Sequence, residues 1–157
     1  MGYDNQPGNE KVLKKIKYYC AYQERCHAEV KEKLYAYGLH KADVELLLSQ
    51  LVEENYLNEE RFAIAFAGGR FRIKKWGRTK IKYELKQKQV SEYCIKKALR
   101  QIDESDYIGG LNKLVKEKYA SLKNDHPITR KKKTIAYLQQ KGYEYELILR
   151  CIENNYK

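Results

Sequence analysis

Long apolar segments are absent from this sequence of 157 residues. No run of about 18 apolar residues occurs, so the sequence predicts no membrane-spanning helix. The first residues also lack the apolar stretch of a secretory signal, and we therefore expect a cytoplasmic protein without a membrane partner. Proline and glycine are scarce, at 2 and 9 residues, which excludes collagen-like and low-complexity chains.

Catalytic and metal-binding motifs are missing as well. The cysteines form no CxxC pair, so we predict buried thiols in place of zinc ligands or disulfides. The three histidines are scattered, and no HExxH, P-loop, dinucleotide-binding turn or serine-histidine-aspartate order occurs. The sequence therefore predicts a protein that is not an enzyme, with no catalytic residue, no metal site and no cofactor.

A repeated helical pattern is the main positive feature of the chain. When Leu34, Leu85 and Leu138 are placed in register, at offsets of 51 and 53 residues, the apolar positions that follow them also align. The aligned segments are 34–51, 85–102 and 138–152. A repeat with a period of this size is typical of modular helical arrays. The predicted fold is therefore all-α, with three tandem three-helix repeats that form an elongated curved array.

The register divides the chain into four predicted parts. Residues 1–9 are polar and are predicted to be a flexible N-terminus. The three-helix repeats are predicted at 10–56, 57–103 and 104–157.

Local signals predict several helix ends. Gly38 suits the left-handed position that follows a helix. In the third repeat, Ser105 and Thr129 are predicted to cap helices at about 106–123 and 130–141. Asn155 occupies an apolar slot of the repeat, as expected for the polar face of a terminal repeat.

Positive charge is large and unevenly distributed. The formal net charge is +11, which points to an anionic partner such as nucleic acid. Residues 68–90 carry a net +8 and residues 113–133 a net +6, whereas residues 39–60 carry −5. A basic composition that served only solubility would not segregate in this way. We therefore expect a basic binding surface on the second and third repeats.

The candidate site surrounds Trp76. Helical spacing places Arg70 with Lys74 on one face, and Arg78 with Lys82 on another. The indole of Trp76 either stacks on a base of single-stranded nucleic acid or fills the space between helices, and the sequence leaves both open. The predicted nucleic-acid- and filament-binding residues are Arg70, Arg72, Lys74, Lys75, Trp76, Arg78, Lys80, Lys82, Lys86, Arg130, Lys131, Lys132 and Lys133.

Two other features bear on this site. Lys131–Lys133 are expected at a second basic helix start, where backbone amides at the helix N-terminus would help to bind phosphate. The 15 tyrosines are numerous, but in a helical array a tyrosine more often packs between helices than stacks on a base. We therefore interpret as inter-helix packing residues with solvated hydroxyls the six tyrosines that fall on polar-facing or boundary positions, Tyr18, Tyr19, Tyr22, Tyr35, Tyr37 and Tyr83.

The chain resembles the RecX family, bacterial regulators of the RecA recombinase, most strongly in the first two repeats. The residues that carry the resemblance are the run from Tyr56 to Ala63, then Phe66, Arg70, Gly77, Arg78, Ile81, Leu85 and Val90, and in the first repeat Cys26, Glu29, Val30, Leu34, Gly38 and Leu39. The similarity covers about residues 15–155 and is weaker in the third repeat. Cys26 replaces the usual capping serine, and Gln89 replaces the glycine before Val90.

The resemblance implies a crescent of three-by-three helices that lies in the groove of a RecA–single-stranded DNA filament. There it would block filament extension and inhibit recombinase and coprotease activity in recombinational repair and the SOS response. The implied partners are RecA and single-stranded DNA, with double-stranded DNA as a further candidate, and we expect a monomer. Taken alone, the residues also leave open a sequence-specific helix-turn-helix regulator and a purely protein-binding scaffold.

Overall fold

The computed structural model describes residues 7–156, and in this range it contains nine helices and no strand. The helices are α1 (Pro7–Tyr22), α2 (His27–Ala36), α3 (Lys41–Glu53), α4 (Glu59–Arg72), α5 (Arg78–Gln87), α6 (Glu92–Arg100), α7 (Glu104–Ser121), α8 (Pro127–Gln140) and α9 (Tyr145–Asn155). The all-α prediction is confirmed. Within the described residues, no helix has the length and apolar character needed to cross a membrane.

The turns that follow α2, α5 and α8 confirm the repeat register. Gly38, Gln89 and Gly142 have φ values of 89°, 62° and 99°. In each turn the next amide donates to the carbonyl of the aligned leucine, for example Val90 to Leu85 at 3.1 Å. Three equivalent left-handed turns therefore close the second helix of each repeat, and the middle one forms without glycine.

Replacing Gln89 with glycine is expected to raise the free energy of unfolding by about 1 kcal/mol, because the left-handed backbone strains a residue with a Cβ atom. The matched control is Gln87→Gly at the exposed end of α5, where glycine should destabilise the helix. Urea denaturation followed by circular dichroism measures both changes. Destabilisation by Gln89→Gly would contradict the assigned strain.

Some predicted helix limits were wrong in detail. Residues 1–6 of the predicted flexible N-terminus lie outside the described part, but α1 already begins at Pro7. Asp103 caps α7 in place of Ser105, because its carboxylate accepts the Asp106 amide at 3.0 Å. His126 caps α8, which begins three residues before the predicted start and places Thr129 inside the helix.

The buried side chains form two cores. The core of the first repeat contains Ile16, Leu34 and Leu51, all fully buried, and it also receives Leu57. The second and third repeats share one continuous core, in which Tyr107 is fully buried and lies 5.3 Å from Tyr143 between ring centres. The sequence repeat therefore has three units, whereas the packing has two.

The four cysteines are buried, as predicted. Cys26 precedes α2 but forms no side-chain cap, whereas the equivalent Ser91 accepts the Cys94 amide at 3.3 Å. The Cys26 side chain instead packs into the core of the second and third repeats. Burial raises the pKa of its thiol. Cys26 therefore joins two repeats and is protected from thiolate chemistry.

Ion pairs also connect the first repeat to the second. The Arg61 guanidinium contacts Glu24 at 2.6 Å, and the Lys88 ammonium contacts Glu29 at 3.1 Å. Part of the negative charge of segment 39–60 is neutralised by ion pairs within the protein, since the Glu54 carboxylate pairs with the Lys17 ammonium at 2.9 Å. The negative charge of this segment is therefore smaller toward solvent than its sequence indicates.

Candidate nucleic-acid interface

The loop before α5 packs directly against the loop before α9. The Gly77 amide donates to the Lys141 carbonyl at 2.8 Å, and the Thr79 amide donates to the Gly142 carbonyl at 2.9 Å. Between them, the Arg78 amide donates to the Tyr107 hydroxyl at 3.0 Å. The first amides of α5 are thus occupied by the third repeat and are not available to bind phosphate.

The Arg78 side chain lies at the same joint and is engaged by the third repeat. Its guanidinium contacts Glu104 and, at 3.0 Å, Glu144, and it lies 3.7 Å from the centre of the Tyr107 ring. The Tyr107 hydroxyl donates to Glu144. Burial, followed by this hydrogen bond, raises the pKa of Tyr107 far above its usual range. Arg78 thus holds two repeats together, and its contact with nucleic acid stays a prediction.

Trp76 lies between two cations of the second repeat. The Arg70 guanidinium is 5.5 Å from the indole centre, and the Lys80 ammonium is 4.5 Å from it. The indole is half-buried and packs against the shared core. Trp76 therefore fills space between helices with part of its ring, and stacking of the indole on a base stays a prediction.

The contacts continue along α4 as a row of alternating cations and rings. Arg70 also lies 4.6 Å from the centre of Phe66, and Lys88 lies 5.8 Å from the same ring. We call Lys80, Trp76, Arg70, Phe66 and Lys88 the cation–aromatic row. Phe66 and Lys88 are not among the predicted site residues, because their place in the row depends on how α5 packs on α4.

Lys82 and Lys86 do not share this side of α5. Ile81 and Leu85 are fully buried and mark the core-facing stripe of the helix. Helical geometry places Lys80 on one flank of that stripe and places Lys82 with Lys86 on the other. The basic face predicted from the sequence is therefore divided into two flanks.

Most cations of this region are not neutralised by carboxylates. Within the described residues, seven of the predicted cations of the second repeat form no ion pair: Arg70, Arg72, Lys74, Lys75, Lys80, Lys82 and Lys86. All are exposed or half-buried. Their charge is therefore available to an anionic partner.

The basic segment of the third repeat is only partly available. Lys133 pairs with Asp125 at 2.8 Å. The Arg130 guanidinium donates to the Tyr119 carbonyl at 2.7 Å and also lies over the Tyr119 ring. Lys131 and Lys132 are exposed and form no ion pair among the described residues. Because α8 begins at Pro127, these lysines lie beyond its first turn, and helix-start amides do not assist them.

A lysine missed by the sequence analysis extends the basic region into the third repeat. The Lys141 ammonium lies 3.4 Å from the Lys74 carbonyl oxygen. Lys141 and Lys118 also flank the ring of Tyr137, at 5.7 and 4.5 Å from its centre. No local motif marks these residues, since only the docking of the third repeat brings Lys141 to Lys74. Within residues 7–156, no cluster of His, Cys, Asp and Glu is arranged to hold a metal ion.

Comparison with known families gives two matches. The model of the second three-helix domain of RecX matches residues 58–99, and the model of the third three-helix domain matches residues 110–152. These ranges contain the cation–aromatic row and the joint at Gly142.

Individual proteins show the same similarity. Regulatory protein RecX of Clostridium tetani is 34% identical over 120 residues, covering 75% of this chain and 55% of that protein. Regulatory protein RecX of Clostridium perfringens strain 13 is 34% identical over 132 residues, covering 81% and 61%. The chain thus spans little more than half the length of these relatives. The crystal structure of RecX from Lactobacillus salivarius has a TM-score of 0.85 at 20% identity and covers 94% of this chain and 96% of that one, which shows a common fold.

Proposed function

We propose, because the chain belongs to the RecX family of regulatory proteins, that it binds the RecA–single-stranded DNA filament and inhibits RecA. Both recombinase and coprotease activity fall when it is bound, which regulates recombinational repair and the SOS response. RecA and single-stranded DNA are the partners, and double-stranded DNA is a further ligand. The chain acts by occupying a surface of the filament and has no catalytic role.

The cation–aromatic row is the observation that carries the proposal. Its three cations face two aromatic rings, and Arg70 and Lys80 form no ion pair within the described residues. Ammonium and guanidinium groups bind phosphates with little regard to sequence, and rings stack on unpaired bases. Such a row suits a single strand held open in a filament. Lys74 and Lys141 extend the positive charge toward the third repeat.

The two rival functions make different predictions for DNA binding. A sequence-specific regulator would prefer one duplex sequence strongly, whereas the row predicts steep salt dependence with little sequence preference. A protein-binding scaffold would not bind nucleic acid at moderate salt.

Removing three cations tests the proposal directly. The variant Arg70→Gln, Lys74→Gln, Lys80→Gln should require about tenfold more protein to inhibit RecA, because each lost phosphate contact weakens binding. The measurement is ATP hydrolysis by RecA on single-stranded DNA, titrated with each protein. Arg78 is left intact because it joins two repeats.

The matched control removes the same charge elsewhere. Lys31, Lys96 and Arg150 are exposed and form no ion pair within the described residues, so their glutamine variants should inhibit RecA like the parent protein. Circular dichroism confirms that both triple variants are folded. Equal inhibition by the two variants would rule out the row as the binding surface, and absence of inhibition by the parent protein would rule out the function.

A further inference from the structure

A groove on the first repeat forms a second basic surface, separate from the cation–aromatic row. It lies between α1 and the segment from Arg25 to Tyr37. It has a volume of about 650 Å³, within the range of ligand sites. Its lining residues are Lys11, Lys14, Lys15, Tyr18, Tyr19, Tyr22, Arg25, Lys33 and Tyr37. Five cations and four tyrosines line the groove and no carboxylate does, so its charge fits an anionic occupant.

Two of the tyrosines are fixed by the cations around them. The Arg25 guanidinium lies 3.8 Å from the centre of Tyr19, and its Nε donates to the Tyr19 carbonyl at 3.1 Å. The Lys33 ammonium lies 5.4 Å from Tyr19 and 5.7 Å from Tyr37, and Lys15 lies 5.8 Å from Tyr37. These contacts hold the positive charges of Lys15, Arg25 and Lys33 against the rings of Tyr19 and Tyr37 at the base of the groove.

The other two tyrosines are turned toward solvent. Tyr18 and Tyr22 are each 72% exposed, which agrees with their polar-facing positions but not with the interpretation that they fill space between helices. They are one helical turn apart on α1, and their ring centres are 6.4 Å apart. Helical spacing places Lys11 and Lys15 on the same side of α1 as these rings. Two adjacent exposed rings thus lie beside a row of lysines, which is the arrangement of a stacking platform for bases.

We propose that this groove, here called the tyrosine groove, binds single-stranded nucleic acid without RecA. Tyr18 and Tyr22 stack on successive bases, while Lys11, Lys15 and Lys33 hold the phosphates. A duplex does not present its base faces to the rings, and an acidic peptide supplies charge but no base to stack. The site lies on a different repeat from the cation–aromatic row and goes beyond the proposed function, because it needs no filament.

Alanine at both exposed rings is the first test. The variant Tyr18→Ala, Tyr22→Ala should bind fluorescein-labelled oligothymidine about tenfold more weakly than the parent protein, because it loses stacking on two bases. Fluorescence anisotropy of the protein with the labelled strand, in the absence of RecA, measures this. The phenylalanine pair Tyr18→Phe, Tyr22→Phe should retain binding. The control Tyr35→Ala, Tyr145→Ala removes two exposed tyrosines outside the groove and should leave affinity unchanged.

An abasic strand of the same length separates stacking from charge. The parent protein and the alanine pair should bind this strand equally, because it offers no base to either ring. A second variant, Lys11→Gln, Lys15→Gln, Lys33→Gln, should lower the slope of log affinity against log salt by about 2, since each phosphate contact on a single strand contributes about 0.7.

Several results would overturn the proposal. Unchanged oligothymidine affinity in the alanine pair, or an equal loss on the abasic strand, would show that the rings do not stack on bases. Poly-glutamate binding as tight as that of oligothymidine, and weakened by the same pair, would assign the groove to an acidic polypeptide.

The two proposed surfaces can fail independently. The alanine pair is therefore also introduced into the Arg70→Gln, Lys74→Gln, Lys80→Gln variant, where it should weaken strand binding by at least the same factor, because the groove then carries a larger share of the binding. Loss of that factor would contradict an independent groove. Inhibition of RecA is read separately, so a failed filament assay leaves the strand-binding result intact.

Discussion

Replacement of Gly142 by alanine is expected to lower the free energy of unfolding by about 3 kcal/mol. The residue has a φ of 99°, and a Cβ atom in this conformation costs about 1–2 kcal/mol. The new Cβ would also overlap the Cβ of Lys80 and lie 2.6 Å from the Lys80 amide nitrogen. Relief of that overlap requires the loop before α9 to separate from α5. The hydrogen bonds from Gly77 and Thr79 across the joint would then weaken, each at about 1 kcal/mol.

Two other glycines provide graded controls. Gly38 also has a positive φ, 89°, but a Cβ there meets open space, so its alanine variant should show the backbone strain alone. Gly109 lies inside α7 with no atom near the added Cβ, and its alanine variant should be neutral or more stable by up to ~1 kcal/mol. Urea denaturation followed by circular dichroism gives all three values. If Gly142→Ala cost no more than Gly38→Ala, the close contact between the two loops would be disproved.

Removal of one hydroxyl at the same joint should have the second largest effect. Tyr107→Phe is expected to destabilise the protein by about 2 kcal/mol, because it leaves the Arg78 amide and the Glu144 carboxylate without the hydroxyl between them. Tyr143 is the matched comparison, since its ring is also buried and lies 5.3 Å from that of Tyr107. Its hydroxyl is buried without a partner in the described residues, so Tyr143→Phe should be neutral or stabilising by about 1 kcal/mol.

The stability of Tyr143→Phe should differ from that of the parent protein at high pH. Burial, followed by the nearby Glu144, raises the pKa of Tyr143 to about 12. A pKa raised in the folded state gives stability that is complete below pH 10 and is lost as the pH rises toward 12, because the unfolded chain releases the proton first. Tyr143→Phe should therefore lose less stability than the parent protein between pH 10 and 12. Urea denaturation across this range measures the difference, and identical slopes would show that Tyr143 does not titrate in this way.

Local sequence patterns were sufficient to predict the helices and the repeat. The three aligned leucines located the turns at Gly38, Gln89 and Gly142, because the closing hydrogen bond of each turn spans only five residues. Cap choice was less certain, since Asp103 and Ser105 are both suitable residues two positions apart. Asp103 is the cap because the helical backbone of α7 begins at Glu104.

The candidate site was only partly predictable because it depends on contacts between distant segments. The charge pattern placed Arg70, Lys80 and Trp76 in one predicted site, and the structure brings the three side chains together. The charge density of the second repeat could not show that Arg78 faces Glu104 and Glu144, because both carboxylates belong to the third repeat. Spacing alone does place Tyr18 opposite the buried stripe of Ile16 and Cys20, but it could not show that Lys33 of α2 lines the same groove, because that depends on the packing of α1 against α2.

The presence of two cores instead of three has a consequence for cooperativity. Residues of the second and third repeats share one set of buried contacts, so local opening in either repeat exposes apolar surface in both. The first repeat has its own core and is joined to the rest by Leu57, which enters that core, and by Cys26, Arg61 and Lys88. The chain is thus expected to open as two independent foldons. The tyrosine groove lies on the foldon of the first repeat, and the cation–aromatic row lies on the foldon of the second and third repeats. Transient opening of the first repeat would therefore release a strand from the tyrosine groove while the cation–aromatic row still binds it.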